Sequence, residues 1–235
     1  MSEDGVQLNS YVISIIIPTL NEDKFLQATL TGLNRPELEL IVVDGGSCDQ
    51  TVQIAGDCGA KVFVTPPCRA GQLNYGARQA KGDILLFLHG DTILPQGFRE
   101  LILDTCRSTS CAGAFELAIN SPGPGLRLIE KAANFRSRWL NMPYGDQALF
   151  MSAKLFRQVG GFPELPIMED YVLIKKLRKK INLHILPLAV STSGRRWNKL
   201  GVFRTTLINQ LIIIGYLLGI SLDVLAKFYR IRKNS

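Results

Sequence analysis

The sequence contains neither GxGxxG nor GxxxxGK[ST], the glycine patterns with which dinucleotide-binding and P-loop proteins cradle a phosphate. It also has no CxxC pair. The five cysteines, Cys48, Cys58, Cys68, Cys106 and Cys111, are odd in number, and the first three fall in separate predicted turns and helices. This argues against zinc and against a disulfide framework, and predicts reduced thiols in a cytosolic protein. No apolar run reaches the ~20 residues that span a bilayer. The longest, "LIIIGYLLGI", occupies 211–220. "MSEDGVQLNSY" has no basic n-region and no apolar h-region, so a signal peptide is not expected and the chain should work on the cytoplasmic side. Internal repeats and low-complexity linkers are missing too.

What the chain does have is 235 residues, enough for one large domain, and a net charge of +7. The excess is concentrated in "KKLRKK" (175–180) and "KFYRIRK" near the end. Such charge suits a phosphate-bearing small ligand, a nucleic acid or an anionic membrane surface, and does not choose among them.

The first half alternates strand and helix patterns. Strands are predicted at Val12–Ile17, Leu38–Val43, Lys61–Val64 and Ile84–Leu88. Helices are predicted at Lys24–Leu33, at Asp49–Cys58 before Gly59, and at Gly71–Ala80. Short β-branched runs separated by helices indicate βαβ units and a parallel sheet. Asp44-Gly45 is a strong hairpin signal, but "TVQIAGDCG" after it lacks period-two alternation and reads as helix. From about Ser110 the rhythm is less regular. "CAGAFELAI" is strand-like, "SPGPG" a turn and "LRLIEKAANFRSRWL" an amphipathic helix. After "GDQALFMS", a short helix and "GGFPELP", another helix opens at Glu169. The expected organisation is a domain over 1–202 and a C-terminal apolar helix with a basic tail over 203–235. That segment is read as one long helix that packs on the domain, self-associates as a homodimer contact, or lies on a membrane surface. The last case would make the protein peripheral at the inner face of the membrane.

Two buried strands run straight into acids, "LELIVVDGGSCDQT" at Asp44 and "GDILLFLHGDT" at Asp91. In open α/β sheets, ligands bind beyond the carboxyl ends of the strands. Asp44 there can accept from a nucleobase or ribose hydroxyl, and Asp91 can hold a divalent cation. Either can instead cap a turn or helix.

The ordered set "SIIIPTLNED", "IVVDGGSCDQT", "GDILLFLHGDT", "GGFPELPIMEDYVL" and "RRW" resembles family 2 glycosyltransferases of the GT-A fold, over residues 13 to 200. With "PYGDQ" and "RRWNKLGVFRTTLINQ" it is also similar to the bacterial subgroup labelled arsenosugar-biosynthesis glycosyltransferases. The resemblance implies an α/β fold with a Rossmann-like, mostly parallel sheet and helices on both faces. It implies an inverting, metal-assisted transferase that moves a hexose from a nucleoside diphosphate sugar, UDP-linked by expectation, to a hydroxyl acceptor. A nucleic-acid partner is not implied. Pro18, Thr19, Asn21, Glu22, Asp44, Gly45, Arg69, His89 and Gly90 would hold the nucleotide.

The family's metal-binding DxD falls on His89-Gly90-Asp91, where histidine replaces the first acid. Asp91, with His89 as a second candidate ligand, would bind Mn2+ or Mg2+; His89 can equally be a structural histidine. Asp170 in "MEDY", beside Glu169, matches the catalytic base; the alternative is an acidic pair stabilising a helix N-terminus. Gly145, Asp146 and Gln147 would contribute to the sugar pocket. Arg195, Arg196 and Trp197 would meet the diphosphate, sugar or acceptor, although Ser193 stands where the family has glutamine. A nucleotidyltransferase and a non-catalytic nucleotide-binding protein are the rival readings.

Overall fold

The computed structural model describes residues 11–107 and 110–234, so the opening segment examined for a leader lies outside the described residues. Strands β1 (Ile13–Thr19), β2 (Leu38–Asp44), β3 (Lys61–Val64) and β4 (Ile84–Phe87) alternate with helices α1 (Asp23–Leu30), α2 (Thr51–Asp57) and α3 (Arg69–Gln79). Then follow β5 (Thr92–Ile93), α4 (Phe98–Thr105), β6 (Ala112–Asn120), α5 (Pro124–Leu140), a 3-10 turn (Gly145–Gln147) and β7 (Leu149–Ser152). The chain continues through α6 (Ala153–Val159), α7 (Glu169–Arg178), β8 (His184–Ser193), α8 (Arg195–Leu200), α9 (Val202–Leu217) and α10 (Leu222–Asn234).

Among the described residues, eight strands form one sheet in the order β3-β2-β1-β4-β7-β6-β8-β5. The β1–β2, β1–β4, β2–β3 and β6–β8 pairs are parallel; β7 runs against both its neighbours, as does β5 against β8. Alternate residues of β1 explain why helices cover both faces. Ile13, Ile15 and Ile17 pack with Leu26 and Leu30 of α1 and with Phe98 and Ile102 of α4. Ile16 packs with Leu73 of α3, Phe156 of α6 and Leu173 of α7 on the other side. Strands buried on both faces read as unbroken apolar runs, which is why they were legible.

Three expectations are corrected. The C-terminal segment is two helices, because Gly219 at φ 80° ends α9, its N–H bonding Tyr216 O while Ile220 N bonds Gly215 O. Leu225 of α10 then packs with Ile208 and Ile212 of α9. Cys106 and Cys111 are joined in a disulfide rather than reduced. Their Cα atoms lie 5.1 Å apart, within bridging reach. The stretch 184–193, not expected as a strand, is β8. Its Pro187 and Leu188 bulge out where the register of β6 steps from Phe115 to Glu116, so a proline that argues against a ladder position stands outside the ladder. Among the described residues, no helix is long and apolar enough to cross a membrane.

Candidate active site

Chain direction places the carboxyl ends of β1, β2, β4 and β8 at one rim of the sheet. There the β1 and β4 loops, the loop before α7, the start of α8 and the inner sides of α9 and α10 enclose a cleft of about 740 Å³. Its lining includes Pro18, Thr19, Glu22, Arg69, His89, Gly90, Asp91, Asp146, Glu169, Asp170, Arg195, Arg196 and Trp197. Residues separated by more than 150 positions therefore meet.

Asn21, Asp44, Gly45, Gly145 and Gln147 are not on the lining; they stand behind it. Asp44, only 1% exposed, is wrapped by its own chain: Oδ1 accepts from Thr19 Oγ1 (3.0 Å) and Ser47 Oγ (2.5 Å). Its Oδ2 accepts from the N–H groups of Gly46 (2.8 Å) and Ser47 (2.7 Å). Asn21 ties the same two loops together, its Oδ1 accepting from Cys48 N at 2.9 Å and its own N–H donating to Ser47 Oγ at 2.8 Å. Gly45 leaves no room for a Cβ, which would lie 3.2 Å from Gln72 Nε2 and 3.3 Å from Thr19 O. Gln147 is fully buried, donating to Phe115 O at 2.9 Å and accepting from Ser137 Oγ at 2.7 Å.

On the cleft side, charges face one another. The β5–β8 pairing sets Thr92 beside Thr192 and so carries "SGRR" onto "HGDT". Arg195, the first residue of α8, binds Glu22 with two parallel hydrogen bonds (2.7 and 2.5 Å), and its Nε lies 3.2 Å from Asp91 Oδ2. Its guanidinium also covers the Phe25 ring at 4.9 Å. The bond from Glu22 raises the pKa of Arg195. Burial raises that of Asp91, with Arg195 opposing and Glu22 assisting. His89 meets Arg69 through Nε2. Burial, then the positive charges of Arg69 and Arg195, hold His89 well below its usual pKa, so it is neutral.

Arg69 turns its Nε to Glu169 Oε1 at 3.0 Å. Burial and the neighbouring Asp170 raise the pKa of Glu169. Asp170 is held at the N-terminus of α7, Oδ2 accepting from Gly145 N (2.8 Å) and Oδ1 from Tyr171 N (2.7 Å). A Cβ on Gly145 would approach that Oδ2 to 3.1 Å, so a side chain there would crowd the carboxylate. Met168, the residue before the pair, sits at φ 69°, a conformation that costs energy for a non-glycine residue. Asp146 completes the group. Its Oδ1 is buried with no hydrogen-bond partner among the described residues. Burial raises its pKa, against Arg136 and with Asp170.

The donor set bears on a metal. Among the described residues no group of three or more His, Cys, Asp or Glu is placed to enclose an ion. Asp91 does offer a hard carboxylate oxygen, and Glu22 stands just across Arg195 from it. That chemistry fits a divalent cation completed by diphosphate oxygens and water, the usual mode for Mg2+. It does not fit a self-sufficient protein cage.

Several lining residues were not singled out from the sequence: Gln72, Tyr144, Asn209 and Tyr229. Gln72 bridges β1 and β2 by donating to Thr19 O (2.9 Å) and Val43 O (2.8 Å). Tyr144 directly precedes the Gly-Asp-Gln turn, and Arg136 stacks on its ring at 3.5 Å. Its place in "PYGDQ" was a usable signal. Asn209 falls in "RRWNKLGVFRTTLINQ" but was given no role there, and nothing local marked Tyr229, which the bend at Gly219 brings in on α10.

The sequence matches the family model described as glycosyl transferase family 2 over residues 14–150. It is 35% identical over 97 residues to an uncharacterized glycosyltransferase of Haemophilus influenzae, a match covering 37% of this chain and 39% of that protein. A PGL/p-HBAD biosynthesis glycosyltransferase of Mycobacterium bovis is 38% identical over 93 residues, covering 35% of this chain and 36% of its own length. These matches thus span well under half of either curated relative. Among solved structures, S. aureus TarS 1-349 has a TM-score of 0.62 at 19% identity, covering 83% of this chain and 64% of that one. The mannosyltransferase PcManGT of Pyrobaculum calidifontis, in complex with GDP-Man and Mn2+, also reaches 0.62 at 19% identity, covering 86% and 63%. At such identity the likeness establishes the fold, of GT-A type.

Proposed function

The chain belongs to glycosyl transferase family 2, and we propose that it moves a hexose from a nucleoside diphosphate sugar to a hydroxyl acceptor with inversion at the anomeric carbon. The observation that carries this is the meeting of Asp91, Asp146, Glu169 and Asp170 with Arg69, Arg195 and Arg196 in one cleft. A donor of this kind brings a doubly charged diphosphate, a sugar rich in hydroxyl donors and a reaction that releases a proton. The arginines answer the first, the unpartnered oxygen of Asp146 the second and Asp170 the third.

In this reading the nucleotide lies over Pro18, Thr19 and Glu22, on loops braced from behind by Asp44 and Asn21. Its nucleoside is uridine by our proposal, supported by the TarS 1-349 structure in complex with UDP. Asp170 takes the acceptor's proton as that oxygen bonds to the anomeric carbon. The carbon–oxygen bond to the diphosphate breaks, and the nucleoside diphosphate leaves with the electron pair. Backbone N–H groups on both Asp170 oxygens fix the carboxylate without supplying a proton. Arg196, whose Nε has no partner among the described residues, is available to the departing diphosphate. Asp91 would hold a divalent cation, which when bound would supply further counter-charge to the leaving group. Arg195 would then keep its pair with Glu22 and give up that with Asp91. Residues up to about 202 form the transferase domain in this reading, and 203–235 close the cleft.

The test is a panel of nucleotide sugars assayed for released nucleoside diphosphate, with and without Mn2+ or Mg2+. Release from a UDP-hexose, enhanced by the cation, is expected. No binding and no release with any donor would contradict the proposal. Pyrophosphate release from a nucleoside triphosphate would replace it with nucleotidyl transfer.

A further inference from the structure

The side of α9 turned away from the cleft is apolar. Asn209, Ile212 and Ile213 line the cleft, whereas Phe203, Leu207, Leu211, Ile214 and Leu218 point outward, from 44% (Leu211) to 81% (Phe203) exposed. Their spacing of four, four, three and four residues is a single stripe along one helix face. A stripe of that length on an isolated chain is a contact surface rather than scattered apolar exposure.

Charge identifies the partner. Residues 202–235 carry five basic side chains and one acid, Asp223, and α9 itself has no Asp or Glu. Helix α5 presents a second exposed strip of Leu128, Phe135 and Trp139. It starts against α9, for a Cβ on Gly125 would lie 3.2 Å from Val202 Cγ1. A second copy packed through this segment would bring its like charges, Arg204 and Lys227 among them, toward one another. An anionic lipid surface meets both features, accepting apolar and indole side chains at the headgroup boundary and attracting the arginines and lysines. Since no helix among the described residues can cross a bilayer, the contact is interfacial.

We propose that the outer face of α9, with the adjoining strip of α5, docks on an anionic bilayer and rests in its interface. The test is flotation of the full chain with vesicles of phosphatidylcholine alone and of phosphatidylcholine mixed with phosphatidylglycerol. Binding to the mixed vesicles, weaker on the neutral ones and reduced by salt, is expected. Phe203→Ser/Leu207→Ser/Leu211→Ser should weaken it at least about a hundredfold, since each side chain is withdrawn from the acyl boundary. Arg204→Glu/Lys227→Glu, which leaves the stripe intact, should abolish the preference for anionic lipid and serves as the second variant should the first not fold. The inference is overturned if the wild type does not float. It is equally overturned if folded variants float like the wild type, or if sedimentation shows a dimer that the serine variant dissociates, which would assign the face to a second copy. Nucleotide-sugar turnover in vesicle-free solution should be unchanged in both variants, which keeps this result separate from the transferase reading.

Discussion

Asp44 and Asp146 are both carboxylates sunk at the same rim of the sheet, and their surroundings are opposite. Each Asp44 oxygen accepts from two donors of its own chain, whereas Asp146 Oδ1 is buried without a partner among the described residues. A saturated acid holds loops in place and has little left to offer a ligand. An acid short of donors is a cost in the empty protein that a ligand's hydroxyls can offset. The rim thus divides into a braced side, built by β1, β2 and α3, and a charged side where α7, α8 and the 3-10 turn meet and Asp146 is left short of donors.

The largest effect that sharpens this contrast lies on the unsatisfied side. Asp170→Asn keeps the shape and removes the proton acceptor, so transfer should fall roughly 1,000-fold with the melting temperature nearly unchanged. Product formation beside a thermal melt measures both, and transfer within a few-fold of wild type would remove Asp170 from its role. On the braced side the balance reverses. Asp44→Ala strands two hydroxyls and two N–H groups and should cost about 2–4 kcal/mol of stability in denaturant unfolding. A melt unaltered by that change would mean the loops stand without it.

Arg195→Met should be milder. The Arg195 side chain is 43% exposed, so its ion pairs contribute at most about 1 kcal/mol to folding. The KM for the nucleotide sugar should nevertheless rise roughly tenfold as the contact with donor phosphate weakens. Acidity gives a further probe. Burial raises the pKa of Asp91, Asp146 and Glu169, so the folded state keeps protons that the unfolded chain releases from about pH 4 upward. The contribution of these groups to unliganded stability therefore falls as pH rises through that window, and stays low above the raised values.

Much of the braced side was legible because its strands are buried on both faces and its helices follow at regular intervals. Lys61–Val64, an exposed edge strand, was bounded correctly from its β-branched run instead, and Asp91 and Asp170 were picked out with the loops that bring them to the cleft. What stayed hidden has identifiable causes. β8 was concealed by Pro187, whose bulge is visible only once β6 is its neighbour. The split of the C-terminal segment was obscured by hydrophobic periodicity running through Gly219, although Gly219 followed by Ser221 and Asp223 is a stop and a start. The bridge between Cys106 and Cys111 depends on how closely their Cα atoms approach, which cysteine spacing alone did not reveal. The difference between Asp44 and Asp146 was equally invisible, since it lies in which donors reach each oxygen.

That difference is open to one direct measurement: unfolding of wild type and Asp146→Asn at neutral pH, each with and without saturating nucleotide sugar. Without ligand, the variant should be more stable by about 1 kcal/mol, because an unpartnered buried charge is gone, and the gain should vanish in acid below pH ~4, where both states are protonated. With ligand, it should lose most of the stabilisation that the wild type gains. A variant less stable than wild type when empty, or stabilised equally by the donor, would contradict the claim that Asp146 is left short of donors for a sugar.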